Sequence, residues 1–357
     1  MTREYKCPCC GGTIEFDSAT QKMKCPYCDS TFEVESLKEY DDVLSSESAK
    51  TDGGDVRAEQ TEWNDDGLRH YVCSSCGGEI ITNETLASTV CPYCSNNVIL
   101  TDKLEGALKP DLVIPFKIDK KEAVSRFRES LKGKKLLNKA FTDENHLEEV
   151  KGVYVPVWLF SSAADASITY KATTVETWVD PHYTYTKTNH YLLQRGGNIS
   201  FEKIPVDGSR NMSDEIMEAL GPYDYSGVVD FQTAYLSGFL ADKYDVSAEE
   251  SKPRALERAK VSVEKYFRST TEGFTLPQVQ TESINLNGGE CKYALLPVWL
   301  LNTKWEGKTY LYAVNGQTGK FVGDLPLDRK KALAWWGIGT AAIAAVAFLI
   351  FYLVSRL

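Results

Sequence analysis

The sequence is poor in the residues and motifs on which most enzymes rely. It has only four histidines among 357 residues. We find no glycine-rich phosphate-binding loop, no nucleophile elbow and no cysteine and histidine pair with a family signature. His182 and His190 are eight positions apart on expected strands, too far to share a metal ion without a turn between them. We therefore predict no catalytic residue. His182, His190 and Asp207 are the first residues to mutate if the central region is an enzyme after all. The other two histidines are His70 and His146.

Positive charge is also scarce. The formal net charge is −10, and it is −14 without the four basic residues that flank the C-terminal apolar run, namely Arg329, Lys330, Lys331 and Arg356. This acidic balance disfavours a protein whose affinity comes from binding phosphates. The start, MTREYKC, lacks the apolar core of a signal peptide. The ten cysteines are therefore expected in a reducing, cytoplasmic setting, as metal ligands or thiols rather than disulfides.

Eight of the cysteines form two copies of one metal-binding module. Each copy has the spacing C-x2-C, fourteen intervening residues and C-x2-C, with two glycines after the second cysteine and CPYC at its close. Four thiolates complete a tetrahedral site with no position left for water, so the metal ion is expected to be structural. Two zinc ions are predicted, and iron in a rubredoxin-like site is the alternative. The ligands are Cys7, Cys10, Cys25, Cys28, Cys73, Cys76, Cys91 and Cys94.

The two modules differ in charge, and this bears on what they bind. We divide this region into ribbon one (1–34), an acidic flexible linker (35–70) and ribbon two (71–101). Ribbon two has no lysine or arginine, and residues 33–70 hold twelve acidic and four basic side chains. Ribbons that bind nucleic acid need a basic face, so protein contact is the prediction for ribbon two. A nucleic-acid, transcription or replication role is the alternative. The candidate contact residues are Ile80, Ile81, Tyr93, Val98 and Ile99, some of which must instead pack beneath the zinc.

Two cysteines lie outside the repeat. Cys9 sits inside the first C-x2-C and is interpreted as a bystander, and Cys291 is interpreted as a buried thiol in an apolar strand.

A long apolar run lies near the C-terminus. Residues 333–354 contain no charge, and as a helix they would span about 33 Å, enough for a bilayer core. Trp335 and Trp336 stand at one end and Tyr352 near the other, as in an aromatic belt. Basic residues precede the run, which by the positive-inside rule places its N-terminal side in the cytoplasm. The pattern predicts a transmembrane helix that anchors the protein by its tail.

The central region, residues 104–328, is expected to be an α+β domain with mixed helices and strands. A helix is predicted after the Asp119 cap, a short one after Ser213 and a longer one within 248–268. Strands are predicted from Gly152 onward, with a turn at Gly196 and Gly197. VPVWLF (155–160) and LPVWLL (296–301) form a short internal echo.

Four polar residues of this region are interpreted as structural. Asp207 and Ser209, in PVDGS, are expected to form a turn. Asp242 and Asp245, in LADKYD, are expected to cap a backbone or be solvated.

Five stretches carry a resemblance to a known family. VIPFKIDKKEA, KGVYVPVWLF, YTKTNHYLLQRGG, PVDGSRNMSD and AYLSGFLADKYDV resemble bacterial proteins described as transcription-factor-IIB-type (TFIIB-type) zinc-ribbon-containing proteins, some of them labelled primosomal protein N′ or helicase-like. The members that this chain is most similar to have a C-terminal membrane span and are encoded beside phage-shock-protein-A-like (PspA-like) and flotillin-like (SPFH) proteins. The resemblance implies a membrane adaptor of the envelope-stress response, with those proteins or a co-encoded membrane protein as partners. It supplies no catalytic residue.

Overall fold

The structure is a computed structural model. It describes residues 7, 9–10, 12–35, 69–73, 75–82, 91–94, 98–101, 108–134, 150–305, 308–323 and 328–354. The acidic linker, apart from its two ends, and His146 lie outside the described residues.

The described part of the chain is rich in β-sheet. An 11-stranded sheet combines parallel and antiparallel pairs, and a separate three-stranded sheet belongs to ribbon one. The described residues also form helices, but fewer helices than strands, so the α+β expectation holds only in part. The small sheet contains β1 (Glu15–Asp17), β2 (Lys22–Lys24) and β3 (Thr31–Phe32). The large sheet contains β4 (Arg69–Cys73), β5 (Glu79–Thr82), β6 (Val98–Thr101), β7 (Leu112–Val113), β8 (Lys151–Val179), β9 (Thr184–Asp207), β10 (Val229–Asp230), β11 (Leu240–Asp242), β12 (Thr275–Trp305), β13 (Lys308–Asn315) and β14 (Phe321–Gly323).

Four α-helices accompany these strands in the described residues: α1 (Lys120–Leu131), α2 (Asp214–Leu220), α3 (Ala248–Ser269) and α4 (Arg329–Val354). The first three begin where the sequence predicts. Asp119, Ser213 and Ser247 each accept a hydrogen bond from the backbone N–H three residues later, which satisfies a donor that the helix itself leaves free.

Three very long strands dominate the sheet. β8 has 29 residues, β9 has 24 and β12 has 31, against a usual strand of five or six. β9 and β12 both pair antiparallel with β8. The expected turn at Gly196 and Gly197 is wrong, because both residues lie inside β9 opposite Ala166 and Ser167. Pairing along the whole of β8 outweighs the weak strand preference of glycine.

The first third of β8 forms the centre of a globular body. Residues 152–159 are buried without interruption, as expected for a strand covered on both faces. Alternate side chains enter two hydrophobic clusters, with Tyr154 and Trp158 in one and Val155 and Val157 in the other. The two echoed segments meet at their first residues, since Leu296 pairs with Val155.

Beyond residue 160 the three long strands leave the body as an arm, formed by residues 161–204 and 275–291. Helix α3 covers one face of the arm, where Val263 and Phe267 pack on Ala164, Ile168 and Tyr170. β12 begins at Thr275, opposite Thr173. The arm tip, residues 174–189, is therefore a two-stranded hairpin.

The two ribbons join the body differently. The three-stranded sheet of ribbon one packs on the body through Phe16, whose ring lies 5.2 Å from that of Tyr235. In ribbon two, β5 pairs with β11 of the body, Ile81 opposite Ala241. Strands β4 to β6 are therefore part of the large sheet, and ribbon two shares the hydrogen-bond network and hydrophobic core of the central region.

Helix α4 stands apart from these clusters. By length and apolar composition it could cross a membrane. Its large apolar side chains are exposed, Trp336 at 73%, Ile343 at 72% and Phe351 at 72%.

Candidate metal centres and a buried acidic pair

Each cysteine cluster brings four sulfur atoms together. In ribbon one, the Sγ atoms of Cys7 and Cys28 are 3.5 Å apart, as are those of Cys10 and Cys25. In ribbon two the corresponding distances are 3.4 Å for Cys73 and Cys94 and 3.6 Å for Cys76 and Cys91. Within each cluster all four sulfurs lie within 4.8 Å of one another. The sequence prediction of two four-cysteine clusters is confirmed.

This spacing fits a tetrahedral metal site. An ion with metal–sulfur bonds of about 2.3 Å holds its sulfurs about 3.8 Å apart, whereas a disulfide requires about 2 Å. All the described cysteines are free thiols. The donor set can therefore bind one metal ion per cluster. Zinc and rubredoxin-type iron both bind four cysteine thiolates, so the geometry of the sulfur atoms fits either metal.

The same turn shapes both clusters. The N–H of Cys7 donates to the carbonyl of Gly12 at 2.7 Å, and that of Cys73 donates to Gly78 at 2.9 Å. This repetition agrees with a duplicated module. Burial opposes ionisation of Cys73, yet backbone hydrogen bonds from Cys76 and Ser75 lower its pKa to about 7. Such amide donors stabilise a thiolate, which is the form that binds a metal.

The two cysteines outside the repeat contribute to neither site. Cys9 is exposed. Cys291 lies on β12 and is half-buried, and burial raises its pKa to about 12.

Both metal modules meet on one segment of the body, residues 233–243. Ribbon one contacts its beginning, where the N–H of Phe16 donates to the carbonyl of Ser237 at 3.3 Å. Ribbon two contacts its end through the pairing of β5 with β11. Lys243 adds a salt bridge of 2.8 Å to Glu79, which also bonds His70 Nε2 at 3.0 Å. The metal sites therefore sit on two sides of the same short segment.

This packing changes the prediction for ribbon two. Ile80, Ile81 and Tyr93 are buried, with at most 7% of their surface exposed. These three candidates are therefore among those that pack inward and do not carry a partner contact, because they belong to the core of the body. The backbones of Val98 and Ile99 lie in β6, and their side chains lie outside the described part of the molecule.

A pair of carboxylates lies beside ribbon two, where strands β9 and β11 meet end to end. β12 occupies one edge of β8, so β9 and β11 share the other edge. β9 ends with Asp207 opposite Val157, and β11 ends with Asp242 just beyond the pairing of Ala241 with Tyr154. We call Asp207 and Asp242 the acidic pair. Their backbones are roughly 7 Å apart, two residues along a strand.

The residues of PVDGSRN hold the acidic pair. Ser209 donates its N–H to Asp207 Oδ1 at 3.1 Å and its hydroxyl to Asp242 Oδ2 at 2.5 Å. Asn211 Nδ2 donates to Asp242 Oδ1 at 3.3 Å. Burial is the main cause that raises the pKa of each carboxyl to about 7, and the charge of Asp242 adds to it at Asp207. Asp242 is only 1% exposed, so the expectation that it caps or is solvated is wrong.

Comparison with known proteins places the chain in a family. It is 36% identical over 355 residues to an uncharacterized protein, YdjG, of Bacillus subtilis strain 168, and the match covers 99% of this chain and 98% of the relative. The chain belongs to the YdjG family. The aligned length takes in both ribbons, the large sheet and α4. No family model and no solved structure matches the chain.

In this member of the YdjG family His182, His190 and Asp207 do not come together in the described structure. His182 lies in the turn of the arm tip and His190 on β9 opposite Thr173. Asp207 is at the other end of β9, about 55 Å from His190 and about 80 Å from the arm tip when about 3.3 Å is counted per residue. His70 bonds Glu79 inside the body.

Proposed function

We propose that this protein is a tail-anchored, zinc-containing scaffold that binds a protein partner at the bacterial membrane, in an envelope-stress system of the PspA-like and SPFH type. The proposal assigns no catalysis to the chain. Its body is on the cytoplasmic side, and its partner is held through exposed protein surface.

The exposed apolar helix α4 carries this proposal. A soluble protein gains little from a 26-residue helix whose large apolar side chains face solvent. A bilayer removes that cost, and a helix of this length spans about 39 Å. Arg329, Lys330 and Lys331 precede the apolar part and favour a cytoplasmic body.

Zinc is the proposed metal in both clusters, in a structural role. Four-thiolate sites saturate the tetrahedral coordination of zinc and leave no open position for chemistry. Each ion ties together short strands that could not fold on their own core.

The arm tip supplies a surface for a protein partner. Trp178 and Tyr185 stack with ring centroids 5.5 Å apart and stay 50% and 41% exposed. Val179 and Tyr183 beside them are about 70% exposed. Exposed Trp and Tyr are typical of protein interfaces. β14, after which the chain continues to α4, lies at the opposite end of the sheet, roughly 90 Å away along β8. This separation favours a protein over the anchoring bilayer as the occupant.

The test uses the full-length protein in vesicles and measures its binding to two ligands. A flotillin-like protein is the candidate partner, and duplex DNA tests the alternative nucleic-acid role. We expect capture of the partner, with little change between low and moderate salt, and its loss in the double variant Trp178→Ala, Tyr185→Ala. Tyr266→Ala, another exposed aromatic side chain but on α3, is the matched control. Salt-sensitive DNA binding without partner capture would overturn the scaffold and favour the nucleic-acid role. If the double variant no longer binds a second, protein-free vesicle, the ligand of the tip is a bilayer. If it loses self-association, the ligand is a second copy of this chain.

A further inference from the structure

The arm has two sheet edges that no described strand covers. Its strands lie in the order β9, β8, β12, and within the arm each outer strand pairs only with β8 among the residues that the structure describes. An uncovered edge presents unpaired backbone N–H and C=O groups, to which another strand can pair. Natural proteins therefore interrupt such edges with proline, charged side chains or β-bulges. The two edges of the arm differ in these features.

The β12 edge is protected against pairing. Its register with β8 shifts three times between Thr275 and Glu290. Leu276 has a positive φ of 46°, and Pro277 after it has no backbone N–H to donate. Each bulge bends the strand and breaks the regular row of backbone groups. A further strand could therefore pair with only a few consecutive residues of this edge.

The β9 edge lacks this protection over residues 184–200. These 17 residues pair with β8 in one unbroken register, and none of them is buried. The stretch contains no proline and only two charged side chains, Lys187 and Arg195. The first interruption is outside it, at Lys203, which has a positive φ of 56°. About 56 Å of regular strand edge is thus open to a partner strand.

The middle of this open edge is apolar. Leu192 is the ninth of the 17 residues from either end and is 70% exposed, and Tyr191 beside it is 39% exposed. Apart from Tyr185 at the tip and the half-buried Ile199, the residues on both sides of residues 191–193 are polar or glycine. Protein interfaces have the same layout, an apolar core inside a polar rim.

A second copy of β9 matches the length and the layout of this edge. Two antiparallel strands related by a two-fold axis at Leu192 place that residue opposite its own copy and Thr184 opposite Ser200, so that the whole open stretch pairs. Tyr191 then lies opposite Leu193 of the other copy. The apolar residues therefore meet at the centre, and an interface of this symmetry is self-complementary.

The charges of the edge select the same register. With the axis at Leu192, Lys187 lies opposite Gly197 and Arg195 opposite Asn189, so that no basic residue faces another. An axis at Tyr191 would instead place Lys187 opposite Arg195, and like charges directly opposite each other destabilise a strand pair.

The size of the contact reaches that of a specific interface. An edge about 56 Å long and about 10 Å thick buries about 560 Å2 on each copy, or about 1,100 Å2 in total. Biological interfaces exceed about 1,000 Å2. Each arm has one open edge, since the β12 edge is protected, and the association therefore closes at two copies.

We propose that residues 184–200 pair antiparallel with the same residues of a second copy of this chain, with the two-fold axis at Leu192. Two arms thereby form one six-stranded sheet. This dimer uses the edge of the arm, whereas the function proposed above uses the aromatic side chains of its tip, and neither depends on the other.

The experiment measures the mass of the full-length protein in detergent by light scattering over a dilution series. We expect a dimer that dissociates on dilution. Leu192→Lys should raise the dissociation constant of the dimer at least tenfold, because it places two ammonium groups opposite each other at the axis. Val279→Lys changes an exposed apolar residue of the β12 edge and is the matched control, which should remain dimeric. Circular dichroism and metal content should equal those of the wild type in both variants.

Cross-linking tests the register. Cys9 is exposed, so the variants are made in a Cys9→Ser background, which also gives the level of cross-linking from the remaining cysteines. Leu192→Cys should cross-link to its own copy with a short bismaleimide. Asn198→Cys should stay at the background level, because 12 positions separate it from its copy along the paired strands, about 40 Å.

Four results would overturn the proposal. They are a monomer at every concentration, a dimer of equal strength in the wild type and Leu192→Lys, equal cross-linking at positions 192 and 198, and a dimer lost only in Trp178→Ala, Tyr185→Ala, which would move the contact to the tip. A monomer whose amides in residues 184–200 become protected when the flotillin-like protein is added would give the edge to a partner's strand. Leu192→Lys should still capture that protein if the tip is its binding surface, so the two proposals can fail separately.

Discussion

Loss of one metal ligand should have unequal effects in the two ribbons. The relevant variants are Cys25→Ser and Cys91→Ser, which remove equivalent buried thiols. If the ribbons were separate modules, each could unfold without lowering the stability of the central region. In the structure, ribbon two places Tyr71, Ile80 and Tyr93 in the second hydrophobic cluster and pairs β5 with β11. Opening ribbon two therefore removes part of the body's own core.

The expected loss of stability is worked out from the buried side chains that each ribbon contributes. Each fully buried large apolar side chain contributes about 1.5–3 kcal/mol, so releasing three of them costs about 5–9 kcal/mol, comparable to the stability of a whole domain. At about 2–4 °C per kcal/mol for a domain of this size, Cys91→Ser should lower the body's melting temperature by at least about 10 °C. Ribbon one places Ile14, Phe16, Met23 and Val34 in the first hydrophobic cluster, with Phe16 against Tyr235. Cys25→Ser should therefore also lower the melting temperature, by roughly 3–12 °C for the loss of Phe16 alone.

The assay is calorimetry of the full-length protein in detergent, together with metal analysis and hydrogen exchange. Each variant should retain one metal ion of two. Amide protection in β11 and the first third of β8 should fall in Cys91→Ser and stay near the wild-type level in Cys25→Ser. Unchanged amide protection in β11 and β8 when ribbon two has lost its metal would refute the view that ribbon two belongs to the central sheet.

Three further outcomes follow from the structure. Truncation after Asp328 should move the protein from the membrane to the soluble fraction; retention would mean that the body also binds the membrane or a partner there. Gly152→Ala should destabilise the body by about 1–3 kcal/mol, because the new Cβ would lie 2.5 Å from the ring of Phe239, whereas Gly197→Ala, with no atom within 4 Å, should be close to neutral; both are measured by thermal melting. Burial raises the pKa of Asp242 to about 7, and an acid with a raised pKa stabilises the fold below its unfolded pKa and loses that contribution as the pH rises through about 7. Without divalent cations, the unfolding free energy of the wild type relative to Asp242→Asn should therefore fall between pH 6 and 8, and a flat difference would contradict the raised pKa.

Local patterns determined several features without the tertiary structure. The cysteine spacing defines both metal clusters, because ligands two residues apart can reach one ion through a single turn. Helix caps at Asp119 and Ser213 depend only on the next three residues. The length of the apolar run likewise predicts α4 from consecutive residues alone.

Other features depend on which segments meet. Gly196 and Gly197 are typical turn residues, but pairing with β8 keeps them in a straight strand. Asp242 has the sequence surroundings of a solvated loop residue, and only the junction of β9 and β11 buries it. The sequence by itself thus determined the four-cysteine clusters, the helix starts and the apolar helix, since these depend on neighbours within a few positions. The tertiary structure alone decided that ribbon two belongs to the body, that three strands extend into an arm and that two carboxylates meet at one junction. Those outcomes arise from pairing between segments up to about 160 positions apart, which no local pattern encodes.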